Sequence, residues 1–97
     1  MLHVILCFDR PGQMELRQAT RPAHLAYLET LQSRLVEVGP QLDIDGRPCG
    51  SMLLVETADR AEAEAIAAAD PYAKAGLFES TLVRGFRTVF HDGKKVG

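Results

Sequence analysis

The sequence predicts an α+β fold with the element order β-α-β-β-α-β. Three observations carry this. Dense apolar runs at residues 4–8 and 52–55 are continuous rather than alternating, as in strands buried on both faces. Apolar residues at helical spacing follow the first run. A capping signal, Asp59-Arg60-Ala61-Glu62, opens an alanine-rich second helix.

Residues 2–8 form the first expected strand, ended by Asp9-Arg10-Pro11-Gly12. Residues 13–20 are polar and read as loop or an irregular helical turn. From 21 to 38 the pattern is helical: His24, Leu28, Leu31 and Leu35 share a stripe, with Tyr27 and Val38 beside it. Thr20 suits the N-cap and Pro22 the first turn, while Gly39-Pro40 suits the end. Residues 41–44 and 50–56 are the next two strands, joined around Asp45-Gly46. The second helix runs to about Ala69, where Asp70-Pro71 stops it, and a short helical turn covers 72–76. The last strand is expected over 78–90, with Gly85 marking a bulge and His91-Asp92-Gly93 turning into a tail.

This order is the split βαβ, or ferredoxin-like, plan, with a four-stranded antiparallel sheet and helices on one face. The other face should then alternate towards polar residues. Residues 4–8 and 52–55 do not. A chain of 97 residues is one domain, expected over 1–97, and a single core at that size is marginal. Pairing sheet against sheet would supply the missing burial, so a homodimer with a shared barrel-like core is expected.

Composition narrows the function classes. The chain is 46% hydrophobic and 25% charged, with a formal net charge of -2 and scattered basic residues. That is no nucleic-acid footprint. No apolar run approaches the roughly 20 residues that span a bilayer, and a direct opening into a strand points to a cytoplasmic protein. Cys7 and Cys49 form no metal or redox spacing, and Cys7 reads as a small buried hydrophobe. The three histidines have no metal-ligand spacing, and no phosphate loop or dinucleotide fingerprint is present, so no cofactor or metal is expected.

Two segments carry the chemistry: Arg21-Pro22-Ala23-His24 in the opening turn of the expected first helix, and Asp70-Pro71-Tyr72 after the second. Brought together, His24 and Asp70 would be an imidazole–carboxylate pair able to move a proton near neutral pH. On spacing alone His24 reads first as a core or boundary histidine with a local partner, and Asp70 reads also as a turn residue bonded to nearby backbone. Arg21 reads as a substrate anchor near a helix N-terminus or as a surface arginine. Ser51, after Gly50, reads as a turn or backbone partner before a nucleophile. Tyr27 and Tyr72 suit a pocket wall or an interface. His3 and His91 are expected at the surface.

The chain resembles the YciI-like family of small proteins. The residues are Arg21-x-x-His24-x-x-Tyr27-Leu28, Gly39-Pro40, Gly50-Ser51, Asp70-Pro71-Tyr72 and Ala75-Gly76-Leu77-Phe78, in that order and spacing. The resemblance implies a dimeric α+β barrel, a fold shared with muconolactone isomerase and antibiotic-biosynthesis monooxygenases. It also implies a His–Asp pair lining a pocket, here His24 and Asp70, with Arg21, Ser51 and Tyr72 suited to substrate binding. The expectation is a small, cofactor-free, homodimeric enzyme using acid–base chemistry on a compact anionic or enol-forming metabolite, of isomerase, lyase or hydrolase type. The rival is a non-catalytic metabolite-binding or assembly module on the same dimer. A cofactor-independent oxygenase rests on analogy of fold alone.

Overall fold

A computed structural model describes residues 1–97. Strand β1 spans Leu2–Asp9, helix α1 Met14–Glu29, a 3-10 turn Gln32–Arg34, β2 Leu35–Leu42 and β3 Pro48–Glu56. Helices α2 (Arg60–Ala69) and α3 (Pro71–Lys74) lead to β4, Phe78–Phe86. The four strands form one antiparallel sheet in the order β2-β3-β1-β4. The fold is therefore the ferredoxin-like α+β plan with its four-stranded sheet.

The first helix lies earlier than the periodicity suggests. It covers 14–29, and residues 35–42 are strand instead of its last turns. Leu35, Val36 and Val38 have the branched shapes that suit a pleated surface. Paired in β2, Leu35 lies opposite Val55 and Val38 opposite Leu53, two of the most buried residues. Gly39-Pro40 thus belongs to an edge strand, where a missing N–H is tolerated, and caps no helix. Thr20 and Pro22 lie inside α1. Pro22 leaves the carbonyl of Gln18 without its helical donor. The actual N-cap, Gln13, makes no side-chain capping bond, so the true start carries no sequence signature.

The second helix follows its signal: the Asp59 carboxylate accepts the Glu62 N–H at 2.9 Å. The 43–47 connection is a hairpin in which Asp43 Oδ1 accepts the N–H groups of Asp45 and Arg47, and Gly46 adopts φ 81°. The last strand stops at Phe86. Residues beyond it fold into a small hairpin, β5 (Phe90–His91) with β6 (Lys94–Lys95), whose turn residues Asp92 and Gly93 both have positive φ. Gly85 is no bulge; it pairs in register with His3, and the irregularity falls at Phe8/Asp9.

One face of the sheet carries Ile5, Cys7, Leu53, Val55 and Val83 into a core closed by Leu28 of α1 and Ala63, Ile66 and Ala67 of α2. The alanines let α2 sit close to the sheet. Both cysteines are free thiols, Cys49 exposed and Cys7 buried, and burial raises the Cys7 thiol from 9.0 to about 11. His3 is buried, contrary to expectation. β1 is a central strand and turns His3 to the covered side, where Nδ1 lies 2.8 Å from the Thr57 hydroxyl. The opposite face carries Val4, Leu6, Met52 and Leu54 half-covered and Phe8, Leu82 and Phe86 exposed. No helix packs on it. No helix is long and apolar enough to cross a membrane.

Candidate active site

Arg17, His24 and Leu28 are the three buried residues of α1, and spacings of seven and four put them on one stripe of the helix. That stripe faces α3 and the ends of β2 and β3. His24 therefore sits in the third turn, not the first, and Arg21 is eight residues into the helix. The positive end of α1 acts on neither, because it fades within a turn.

Asp70 ends α2 and caps α3. Its Oδ1 accepts the Tyr72 N–H at 2.9 Å, and the same oxygen lies 2.8 Å from His24 Nδ1. Both side chains are almost fully buried. A carboxylate only accepts, so Nδ1 of a neutral imidazole carries the proton and Nε2 keeps a lone pair. Nε2 has no protein partner. Since no buried side-chain nitrogen or oxygen in the molecule lacks one, Nε2 is open to solvent.

The opening is a cleft of about 390 Å³ that His24 lines together with Arg17, Arg21, Leu25, Ser51 and Tyr72. Val38, Gly39 and Pro40 of β2 form part of its wall, so the misread strand is also a site element. That volume lies in the lower range of small-molecule sites. The Tyr72 ring stacks on the imidazole, with centroids 4.0 Å apart and planes 20° from parallel. Burial raises the Tyr72 phenol above its ordinary 10.0, opposed by the charge and the hydrogen-bonding of the neighbouring Arg17 guanidinium. Tyr27 is not in the wall: its hydroxyl donates to the Ile66 carbonyl at 2.8 Å and ties α1 to α2.

The sequence reading missed Arg17. Its Nε donates to Asp9 Oδ2 at 2.8 Å, and its Nη2 donates to the Gly50 carbonyl at 2.6 Å and Ser51 Oγ at 2.7 Å. The guanidinium carbon lies 4.6 Å from the centre of the Tyr72 ring. Ser51 Oγ is therefore an acceptor for Arg17, and no hydrogen bond joins it to His24 or another base. The residue was findable. Continuing the buried stripe back seven positions from His24 arrives at Arg17, but the helix start was set too late to include it.

Gly50 is required by this arrangement. A Cβ there would collide with the Cys7 carbonyl oxygen and approach Gln41 Nε2 to 2.8 Å. Gln41 Nε2 instead donates to the carbonyls of Cys7 and Ser51, binding β2 across β3 to β1 below the cleft.

Comparison with known proteins agrees with this architecture. Over 98 residues the chain is 38% identical to Protein YciI of Escherichia coli O6:H1, covering 93% of this chain and 100% of that one. It is also similar to the 5-chloro-2-hydroxyhydroquinone dehydrochlorinase of Burkholderia phenoliruptrix AC1100, whose structure is a complex with 2,5-dihydroxybenzoquinone. The two superpose with a TM-score of 0.84 at 37% identity, over 90% of this chain and 94% of that one. An antibiotic biosynthesis monooxygenase shares the fold at a TM-score of 0.54 and 17% identity, over 92% and 99% of the two chains. The model of the YCII-related domain matches residues 1–87. The chain therefore belongs to the YCII-related, or YciI-like, family.

Proposed function

We propose that this chain is a small acid–base enzyme acting on a compact, enol-forming, anionic molecule, with His24 as the proton-transferring base and Asp70 as the group that orients it. The observation that supports this best is the tautomer imposed by Asp70, which leaves His24 Nε2 bare at the cleft. In the reaction, Nε2 takes a proton from a C–H or O–H bond of the substrate. The bond's electron pair enters the substrate's conjugated system. Returning the proton elsewhere makes an isomerase; expelling a leaving anion with its bonding pair makes a lyase, with net loss of HX. Asp70 stabilises the imidazolium that forms, and Arg21 at the cleft mouth draws the anionic substrate in. Tyr72 holds the ring plane of the base, and Ser51 sits at the cleft floor. The 37%-identical dehydrochlorinase makes a hydroxylated ring with a leaving halide the first substrate class to assay.

The same reading includes a homodimer. Seven apolar residues of the helix-free sheet face, Val4, Leu6, Phe8, Met52, Leu54, Leu82 and Phe86, form a patch continuous across three strands. A second copy offers the matching surface.

The test is halide release from chlorinated hydroxyhydroquinones by the wild type and by His24→Asn. Loss of a positioned general base lowers turnover by about 10²–10⁴-fold. Undiminished release by His24→Asn contradicts the assignment. Saturable binding without product in the wild type would make the chain a binding module instead.

A further inference from the structure

Arg17 has a feature that the proton-transfer reading does not use. Its Nε and Nη2 are engaged by Asp9, Gly50 and Ser51, and Nη1 bonds to none of them; the other polar group beside the guanidinium is the Tyr72 phenol, which lines the same cleft. No buried side-chain nitrogen is without a partner, so Nη1 is reached by solvent. The residue as a whole is only 6% exposed. The single cavity that Arg17 lines is the one that holds His24. A buried guanidinium thus presents one free edge to the cleft.

We infer that this Nη1 edge is an oxyanion site, which holds the substrate oxygen onto which charge moves when His24 takes the proton. The inference rests on the proposed acid–base function and adds the group that stabilises its anionic intermediate, which is discharged when a proton returns or the leaving anion departs. As the substrate bond breaks, the proton goes to His24 Nε2 and the electron pair comes to rest on a carbonyl oxygen. That oxygen needs donors already in place, because preorganised donors in a dry site stabilise charge most.

Arg17 meets this requirement and Arg21 does not. Arg17 is fixed by the two-point Asp9 contact, by Gly50 and Ser51, and by the Tyr72 ring beneath it. Arg21 lines the same cleft but is exposed and makes no hydrogen bond, so it attracts anions without aiming at one atom. Arg17 and His24 both lie against Tyr72, at 4.6 and 4.0 Å from its ring centre. The base and the guanidinium therefore border the same ring and the same cleft. The substrate class is that of the proposed function, a cyclic enol, quinol or hydroxyquinone, whose ring oxygen would take up the charge.

The probe is 2,5-dihydroxybenzoquinone, a vinylogous acid that is anionic at neutral pH. It is titrated into the wild type while the Arg17 side-chain N–H resonances are followed, and its affinity is measured for Arg17→Lys, Arg21→Gln and His24→Asn. Lys keeps the charge opposite Asp9 but loses the fork, so at least tenfold weaker binding is expected. Arg21→Gln is expected to cost less than Arg17→Lys. Saturable binding with displaced Arg17 Nη resonances in the wild type supports the site, whether or not the Lys variant folds. Binding that leaves those resonances in place, an Arg17→Lys affinity equal to the wild type, or no saturable binding at all overturns it. His24→Asn removes the base and retains the oxyanion site. If it keeps binding without turnover, both roles stand. If it keeps both binding and turnover, the base assignment fails while the Arg17 site survives.

Discussion

His24 and Tyr72 are held face to face by one carboxylate oxygen: Asp70 Oδ1 accepts the backbone N–H of Tyr72 and faces the Nδ1 of His24. The cap of a four-residue helix therefore also sets the base. Removing the capping carboxylate would disturb helix, stack and imidazole together, whereas altering only its charge would not.

Asp70→Asn separates these roles. The amide oxygen still accepts the Tyr72 N–H, so α3 should keep its cap and the protein its fold. The hydrogen bond to His24 becomes neutral, and the imidazolium loses its counter-charge. Turnover should fall by about 10²-fold or more, with circular dichroism unchanged. Asp70→Ala should in addition lose about 0.5–2 kcal/mol of stability with the cap, read by urea denaturation.

Gly50→Ala tests the packing beneath the cleft. The added methyl meets the Cys7 carbonyl, which cannot yield without disturbing the β1–β3 ladder, and the Gln41 amide, which can swing away only by giving up its bonds to the Cys7 and Ser51 carbonyls. A destabilisation of about 1–3 kcal/mol is expected. Turnover by the folded fraction should also drop, since the Gly50 carbonyl is one of the anchors of Arg17.

The helix-free sheet face predicts self-association. Leu54→Lys places a charge within the apolar patch, beside Val4 of the central strand β1. Size-exclusion chromatography with light scattering should give a dimer for the wild type and a monomer for the variant. A monomeric wild type would contradict the dimer.

Alkaline stability follows from the buried thiol. Desolvation raises Cys7 from 9.0 to about 11, so the folded state favours the protonated form. Below pH 9 neither state releases that proton and stability is unaffected. Between about 9 and 11 the unfolded chain ionises first, and stability falls until the folded thiol ionises too. Cys7→Ala should flatten that part of the pH profile of thermal melting. Native alkylation at pH 8 should modify Cys49 alone, because Cys7 is buried as well as protonated.

The fold was legible where local signals and tertiary packing agree. Asp59 and Glu62 announce α2, and the double-sided apolar runs of β1 and β3 announce the sheet and its unpartnered face. The first helix was misplaced because His24, Leu28, Leu31 and Leu35 continue a helical spacing across a boundary that only pairing with β3 imposes. That error had a functional cost. It left Arg17 in a segment read as loop or an irregular helical turn, and hid the cation that, with His24, frames the cleft. His24 and Asp70 are 46 residues apart, and periodicity could nominate each without joining them; the resemblance to the family did that. His3 was misjudged because a central strand buries alternate residues whatever their polarity.

The most direct measurement is the nitrogen-15 spectrum of the His24 ring in the neutral protein, without ligand, in the wild type and in Asp70→Asn. The wild-type imidazole should be protonated at Nδ1 with Nε2 bare, and in the variant the proton should return in part to Nε2. A wild-type ring protonated at Nε2 would leave no base facing the cleft and would contradict the central claim.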